Sequence, residues 1–285
     1  MDIFINGKPA DITLDTENTL GDVLAGIEQW ISPTGNRIQK ISIDGTNVSE
    51  DPLSDVFGNN IADIKKLEIE VSSFRELAIE ALGDLLNTCG IFAETSFEDR
   101  PQIAEAWKKS AASRFLSSNI PDIHQFAAAA FSGEGLSARD LGLLLEERCR
   151  EITDPKREIG SSEALVTAIA LRMEELPLDI QTGKDQRAAE TIQLFSKIGE
   201  KLFRIFFLFK SDGLSVENFM IDERSARVFI DEFNAALKEL SAAYENRDIV
   251  LAGDIAEYEL APRLLTFFSS LKNISILNIP VVSSP

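Results

Sequence analysis

Histidine is almost missing from this 285-residue chain, and His124 stands alone. That count excludes every site built on paired histidines, including the two-histidine zinc helix and the Glu-x-x-His di-iron bundle. Cysteine is nearly as scarce. Cys89 and Cys149 are the only two, and neither belongs to a Cys-x-x-Cys pair, so buried free thiols are expected in place of a disulfide framework. Basic residues are outnumbered, with 28 Lys and Arg against 47 Asp and Glu, for a net charge of -19. A chain this acidic repels phosphate backbones, and no Lys/Arg-rich run offsets the repulsion, so nucleic-acid binding is not expected. Long apolar runs are missing too. The longest, Leu202 to Phe209, is broken by Arg204 and too short to cross a bilayer. The opening Met1-Asp2-Ile3-Phe4-Ile5-Asn6 lacks the basic and apolar regions of a secretory signal. No membrane association is expected, and the expected location is cytoplasmic. No repeat of fixed period is visible, which argues against a solenoid.

What the chain does have is an ordinary globular composition, 44% hydrophobic and 26% charged, and enough length for two domains. Met1 to Ile5 alternate as a strand does, Asn6-Gly7 suits a tight hairpin, and Ala10 to Leu14 resume the alternation. A helical stretch follows from Thr19 to Ile31. Ile41-Ser42-Ile43 then reads as a strand, Asp44-Gly45 as a turn, and Leu67 to Val71 as a last strand.

These residues resemble the ubiquitin-like β-grasp fold. The resemblance rests on Met1-Asp2-Ile3-Phe4-Ile5, the turn Thr16-Glu17-Asn18-Thr19-Leu20, Lys40-Ile41-Ser42-Ile43-Asp44-Gly45, and Pro52-Leu53-Ser54-Asp55-Val56 as a short helical turn. It is similar as well to the sulfur-carrier branch of that fold, and it covers about the first quarter of the chain. Conjugating modifiers and sulfur carriers end in an activated Gly-Gly carboxylate. Here Lys66 to Val71 run on through Ser72-Ser73-Phe74 into a helix, so neither chemistry is expected and the module is expected to dock a partner.

Past Ser73 the apolar period becomes about 3.6 residues. Helices are expected from Phe74 to Leu86, from Ser96 through Trp107 to Phe115, from Asp122 to Phe131, and from Ser137 through Cys149 to the stop at Asp154-Pro155. Pro155 to Ser162 reads as the most linker-like stretch. Further helices are expected over 163–176 and 186–210, then over 221–246 and 248–271, with Pro262 kinking the last. The fold class expected is α+β: a β-grasp domain at 1–72, an all-α bundle at 73–273, and an apolar tail at 274–285.

Chemistry-bearing constellations are thin. His124, close after Asp122, is expected to be a surface or cap-neighbouring residue, and Cys89 or Cys149 could pair with it only if the fold brings them together. Gly133-Glu134-Gly135 and Thr182-Gly183-Lys184 lack the strand-loop-helix setting of phosphate loops and read as helix ends. Asp248, Asp254, Glu257 and Glu259 form the densest polar group, a solvated helix face in preference to a cation site. Tyr258 beside them suggests a packed contact. Asp254, Glu257, Tyr258, Ile276 and Ile279 are the candidate protein-interface residues. No catalytic, metal-binding or cofactor-binding residue is singled out, and no cofactor is implied.

The expected function is that of a non-catalytic protein-binding or scaffold protein, using the β-grasp module and a helical interface, with a protein partner and a possible homodimer. A small-ligand binder or enzyme with a pocket lined by Phe203, Phe206 and Phe207 is the alternative. A helical chaperone that shelters an apolar segment is a third.

Overall fold

The computed structural model of the chain describes residues 1–14, 17–32, 36–48, 55–211, 214 and 219–276. The architecture is α+β, a mixed sheet with one helix at the N-terminus and a mostly helical region after it. It divides into two compact units, one spanning Met1–Thr153 and one beginning at Asp154. The change of period at Ser72-Ser73 marks the end of the sheet, whereas the division between units lies at the end of a later helix.

In the first unit, strands β1 (Asp2–Ile5) and β2 (Lys8–Pro9) form a hairpin. Asn6 and Gly7 supply the two positive φ angles, 50° and 76°, that a type I′ turn needs. Helix α1 (Leu20–Ile31) starts at a capping box, in which the Thr19 hydroxyl accepts from the Asp22 amide while Asp22 accepts from the Thr19 amide. Its buried stripe, Leu20, Val23, Leu24, Ile27 and Ile31, recurs at helical spacing. Strands β3 (Asn36–Ile43) and β4 (Thr46–Val48) pair through a second turn of the same kind at Asp44-Gly45. A 3₁₀ turn at Asp55–Gly58 precedes strand β5 (Lys66–Ser73). Of the expected helical turn at Pro52–Val56, Pro52, Leu53 and Ser54 lie outside the described residues. β5 runs parallel to β1 and antiparallel to β3, giving the order β2-β1-β5-β3-β4. Ile3, Ile5, Ile41, Leu67 and Ile69 close against α1 as the core of this module. Five mixed strands with one helix packed on them are compatible with a β-grasp.

One expected strand falls short. β2 pairs only at Lys8 and Pro9, Ala10 adds a last bond from its amide to the Ile3 carbonyl at 2.9 Å, and Asp11 to Leu14 are not in a strand. Alternation reports which side of a segment is buried, and it carries no guarantee of a neighbour.

Among the described residues, the helices that follow in the first unit are α2 (Phe74–Glu94), α3 (Arg100–Lys108), α4 (Ala111–Asn119), α5 (Pro121–Ser132) and α6 (Ala138–Thr153). Ser73 and Glu76 form the capping box of α2 directly at the end of β5. The single helix expected from Ser96 to Phe115 is two, because the Ser110 hydroxyl caps a new start by accepting from the Ser113 amide at 3.0 Å. Gly133, at φ 80°, closes α5 in the left-handed conformation expected of a helix end.

The second unit holds α7 (Pro155–Glu174), α8 (Leu176–Gln181), α9 (Asp185–Ser211), α10 (Ala226–Glu245), α11 (Ile249–Asp254) and α12 (Ala261–Ile276). The linker expected at Pro155–Ser162 is the start of α7. Asp154 caps it, Pro155 takes the first position that needs no amide donor, and Ile159 is fully buried. A short hairpin, β6 (Met220–Ile221) and β7 (Arg224–Ser225), occupies residues expected to open the penultimate helix. Its turn residues Asp222 and Glu223 sit at φ 51° and 62°. A π turn, Ile255–Leu260, joins α11 to α12. Pro262 offers no amide donor and its ring crowds the preceding carbonyls, so a widened turn just before it is the local answer to the proline. The core is aromatic: Phe195, Phe206, Phe233 and Phe267 are almost fully buried, and Phe203 packs on Phe233 and Phe267. No described helix is long and apolar enough to cross a membrane.

Candidate functional site

The expected interface residues do not converge. Asp254 ends α11 and is exposed, while Glu257 and Tyr258 lie in the π turn. Tyr258 is 68% exposed, and its hydrogen bond to Glu257, with that carboxylate's charge, pushes the phenol above its usual pKa. Glu259 is engaged by Arg263 at 2.7 Å. Ile276 closes α12, and Ile279 lies outside the described residues, as does most of the apolar tail. Nor do Phe203 and Phe206 stand around an opening. Phe206 is fully buried against Phe219 and Phe267, and Phe207 is 47% exposed.

His124 has neither thiol as its recorded partner. Its Nε2 lies 3.2 Å from the Ser113 hydroxyl, and its ring stacks near Trp107 with centroids 5.2 Å apart. A serine and a histidine within hydrogen-bond reach are two parts of a nucleophilic site. Asp122, two positions before the histidine, is held by Arg148 at 3.0 Å, and Arg148 also reaches Glu151 at 3.4 Å. Arg148 and Glu151 are buried, so this group reads as a structural ion cluster between α5 and α6. Both cysteines are free, and burial pushes both thiols up, Cys89 to about 11. That direction is the opposite of the one a nucleophilic cysteine needs.

One concave surface lies on the N-terminal sheet module. Between α1 and the segment after β2 runs a groove of about 490 Å³. Ile5, Val23 and Ile27 form its apolar floor, and Ile12 and Leu14 contribute from the strand side. Trp30, 58% exposed, stands on the α1 side, and Lys8, Asp11 and Glu17 are the charged residues at the rim. Ala10, Ile12 and Leu14 are half-buried while Asp11 and Thr13 are exposed, which is the pattern of a strand laid on a core. Yet Asp11 to Leu14 make no backbone hydrogen bond with any described residue. β2 is the edge strand of the sheet, and the unpaired backbone of Asp11 to Leu14 follows it directly beside an apolar groove.

Gly26 lines the same groove. An interior helical glycine costs about 1 kcal/mol relative to alanine, and such a glycine usually makes room for a close neighbour. At Gly26 an added Cβ would meet nothing within 4 Å. The residue relieves no clash with any described residue, and a larger side chain there would intrude on the groove. Neither Gly26 nor Trp30 stood out in the sequence, since the groove is assembled from two separate segments. A tryptophan on the polar side of an amphipathic helix is the one signal that could have found it.

Residues 1–73 match the family model described as the TP0873 N-terminal domain, and that match ends on the last residue of β5. Residues 159–269 match a family model described as a domain of unknown function, DUF8042. No curated protein and no solved structure matches the chain.

Proposed function

We propose that the N-terminal module is ubiquitin-like in fold and that the chain is a non-catalytic binding protein, which docks an extended segment of a partner protein at the edge next to α1. One observation carries this reading. Asp11 to Leu14 alternate in burial and leave their backbone without a backbone partner among the described residues, next to edge strand β2 and beside an apolar groove, which is the setting that strand addition uses. Main-chain hydrogen bonds would supply affinity, and alternate side chains of the guest would point down toward Val23, Ile27 and Trp30. Charge selects the guest. Between residues 8 and 30 Lys8 is the only basic residue, against Asp11, Glu17, Asp22 and Glu28 among the described acids. The occupant is thus an extended segment with alternating apolar residues and Lys or Arg on its flanks. Since β5 continues into α2, no free carboxylate follows the module, which favours docking over conjugation.

Display selection of random peptides on the full chain tests this. Alternating apolar peptides with basic flanks are expected, and their binding should weaken at least about tenfold with Trp30→Glu or with Gly26→Leu, which fills the groove. Selected peptides that bind both variants as tightly as the parent chain would overturn the reading.

A further inference from the structure

A second concave site lies among the helices of the first unit, with the opposite charge. The end of α2, one face of α3 along its whole length, the end of α5 and the start of α6 surround a cleft of about 820 Å³, within the size range of small-molecule sites. Phe92 and Phe131 form an aromatic wall, their ring centroids 4.8 Å apart. Phe97, 84% exposed, stands at the mouth with Leu136, 39% exposed. Singly exposed apolar residues are ordinary, but two beside an aromatic-lined cleft leave a continuous apolar path from solvent into it.

The charged residues of this cleft are mainly cationic, in a chain whose net charge is -19. Arg100, Lys108 and Arg139 line it, against Glu105 as the single lining carboxylate, and Glu105 is engaged by Lys109 at 3.1 Å. Arg100 is partly spent: it lies 5.1 Å from the Phe92 ring centroid and donates from Nε to the Thr95 carbonyl at 3.2 Å. Lys108 and Arg139 are exposed and make no ion pair with any described residue. The start of α6 is not itself an anion site, because Ser137 and Asp140 occupy it, the Asp140 amide donating to the Ser137 hydroxyl and that hydroxyl to the Asp140 carboxylate.

We infer that this cleft binds an amphipathic carboxylate of small-molecule size, its alkyl or aryl body against Phe92, Phe131 and Phe97 and its carboxylate between Lys108 and Arg139. The aromatic wall supplies burial, and the two free cations supply charge-assisted hydrogen bonds. The site is distinct from the groove beside α1 and does not depend on it.

Titration calorimetry of the full chain with decanoate, decylammonium and decanol tests the inference, below the concentration at which each probe forms micelles. Non-specific attraction to so acidic a protein favours the cation. The expected result is the reverse, with decanoate bound at least about tenfold more tightly than decylammonium and also more tightly than decanol. Lys108→Glu and Arg139→Glu are both exposed positions, and each should cost decanoate about tenfold or more while the circular dichroism spectrum stays unchanged. Phe97→Ala should weaken decanoate and decanol alike. Failure of decanoate to bind, equal binding of decylammonium, or unchanged decanoate affinity in both charge-reversed variants would overturn the inference.

Discussion

Gly253→Ala should destabilise the second unit, although the same change at most helical glycines helps. Gly253 is buried in α11 where that helix crosses α8. A Cβ placed there would stand 2.9 Å from both Cβ and Cγ of Pro177 and 3.5 Å from its Cα. Carbon atoms prefer about 3.5 to 4.0 Å, so the overlap approaches 1 Å. Pro177 cannot swing aside as a leucine tip would, because its ring is closed onto the backbone in the first turn of α8. The two helices must therefore separate, and overpacking of this kind costs about 1–3 kcal/mol. Alanine returns about 1 kcal/mol of helix propensity, which leaves a net loss of about 1 kcal/mol, reaching about 2 if the helices part poorly. Gly26→Ala is the matched control: with nothing within 4 Å it should gain about 0.5–1 kcal/mol. Urea unfolding followed by circular dichroism reads both changes as shifts in midpoint. Both tryptophans, Trp30 and Trp107, lie in the first unit, so their fluorescence reports Gly26→Ala in parallel. An unchanged or raised midpoint for Gly253→Ala would refute the argument that the Pro177 contact sets the spacing of α8 and α11.

Other expectations follow from the same geometry. Glu223→Gly should stabilise the chain by about 0.5–1 kcal/mol in denaturant titration, since Glu223 holds a left-handed φ of 62° that glycine adopts without strain. Arg148→Met should cost about 3 kcal/mol by withdrawing a partner from Glu151, a side chain 2% exposed, and adding Glu151→Met should recover a large part of the loss by the same assay. Burial raises the Cys89 thiol from 9.0 to about 11, so its contribution to stability is complete below pH 9 and is lost as the pH rises from about 9 to about 11. A Cys89→Ala variant should lose that part of the alkaline decline in a pH series of thermal melts. In the parent chain at neutral pH, alkylation of Cys89 should proceed only as fast as local unfolding exposes it.

Local signals in the sequence were readable wherever one residue dictates a backbone conformation. Asn6-Gly7, Asp44-Gly45 and Gly133 all take the positive φ angles their chemistry favours, and Ser73 and Ser137 begin helices as capping residues should. The turn at Asp222-Glu223 was illegible because its second position, where Asn6-Gly7 and Asp44-Gly45 carry glycine, holds a glutamate that seldom adopts positive φ. Pro155 reads equally well as a linker residue and as the first residue of a helix, and only the burial of Ile159 in the second unit decides between them. The stretch from Ala10 to Leu14 carries a true alternation, but past the Ala10 amide it has no strand partner among the described residues, so periodicity described its burial and missed its availability. Neither concave site is carried by one element: the groove joins two neighbouring segments within residues 5–30, and the cleft joins four helices within residues 92–139. Their defining residues, Trp30 and Gly26 in one and Phe97, Lys108 and Arg139 in the other, are individually unremarked surface positions.

Amide chemical-shift mapping of the isotopically labelled full chain, titrated with an alternating apolar peptide carrying lysine flanks, tests the edge beside α1 most directly. The account predicts the largest perturbations at Lys8 to Leu14, at Gly26 and at the Trp30 indole, together with new hydrogen-exchange protection of amides between Asp11 and Leu14. Perturbations confined to the helices beyond Ser73, or binding that leaves those edge amides unprotected, would contradict it.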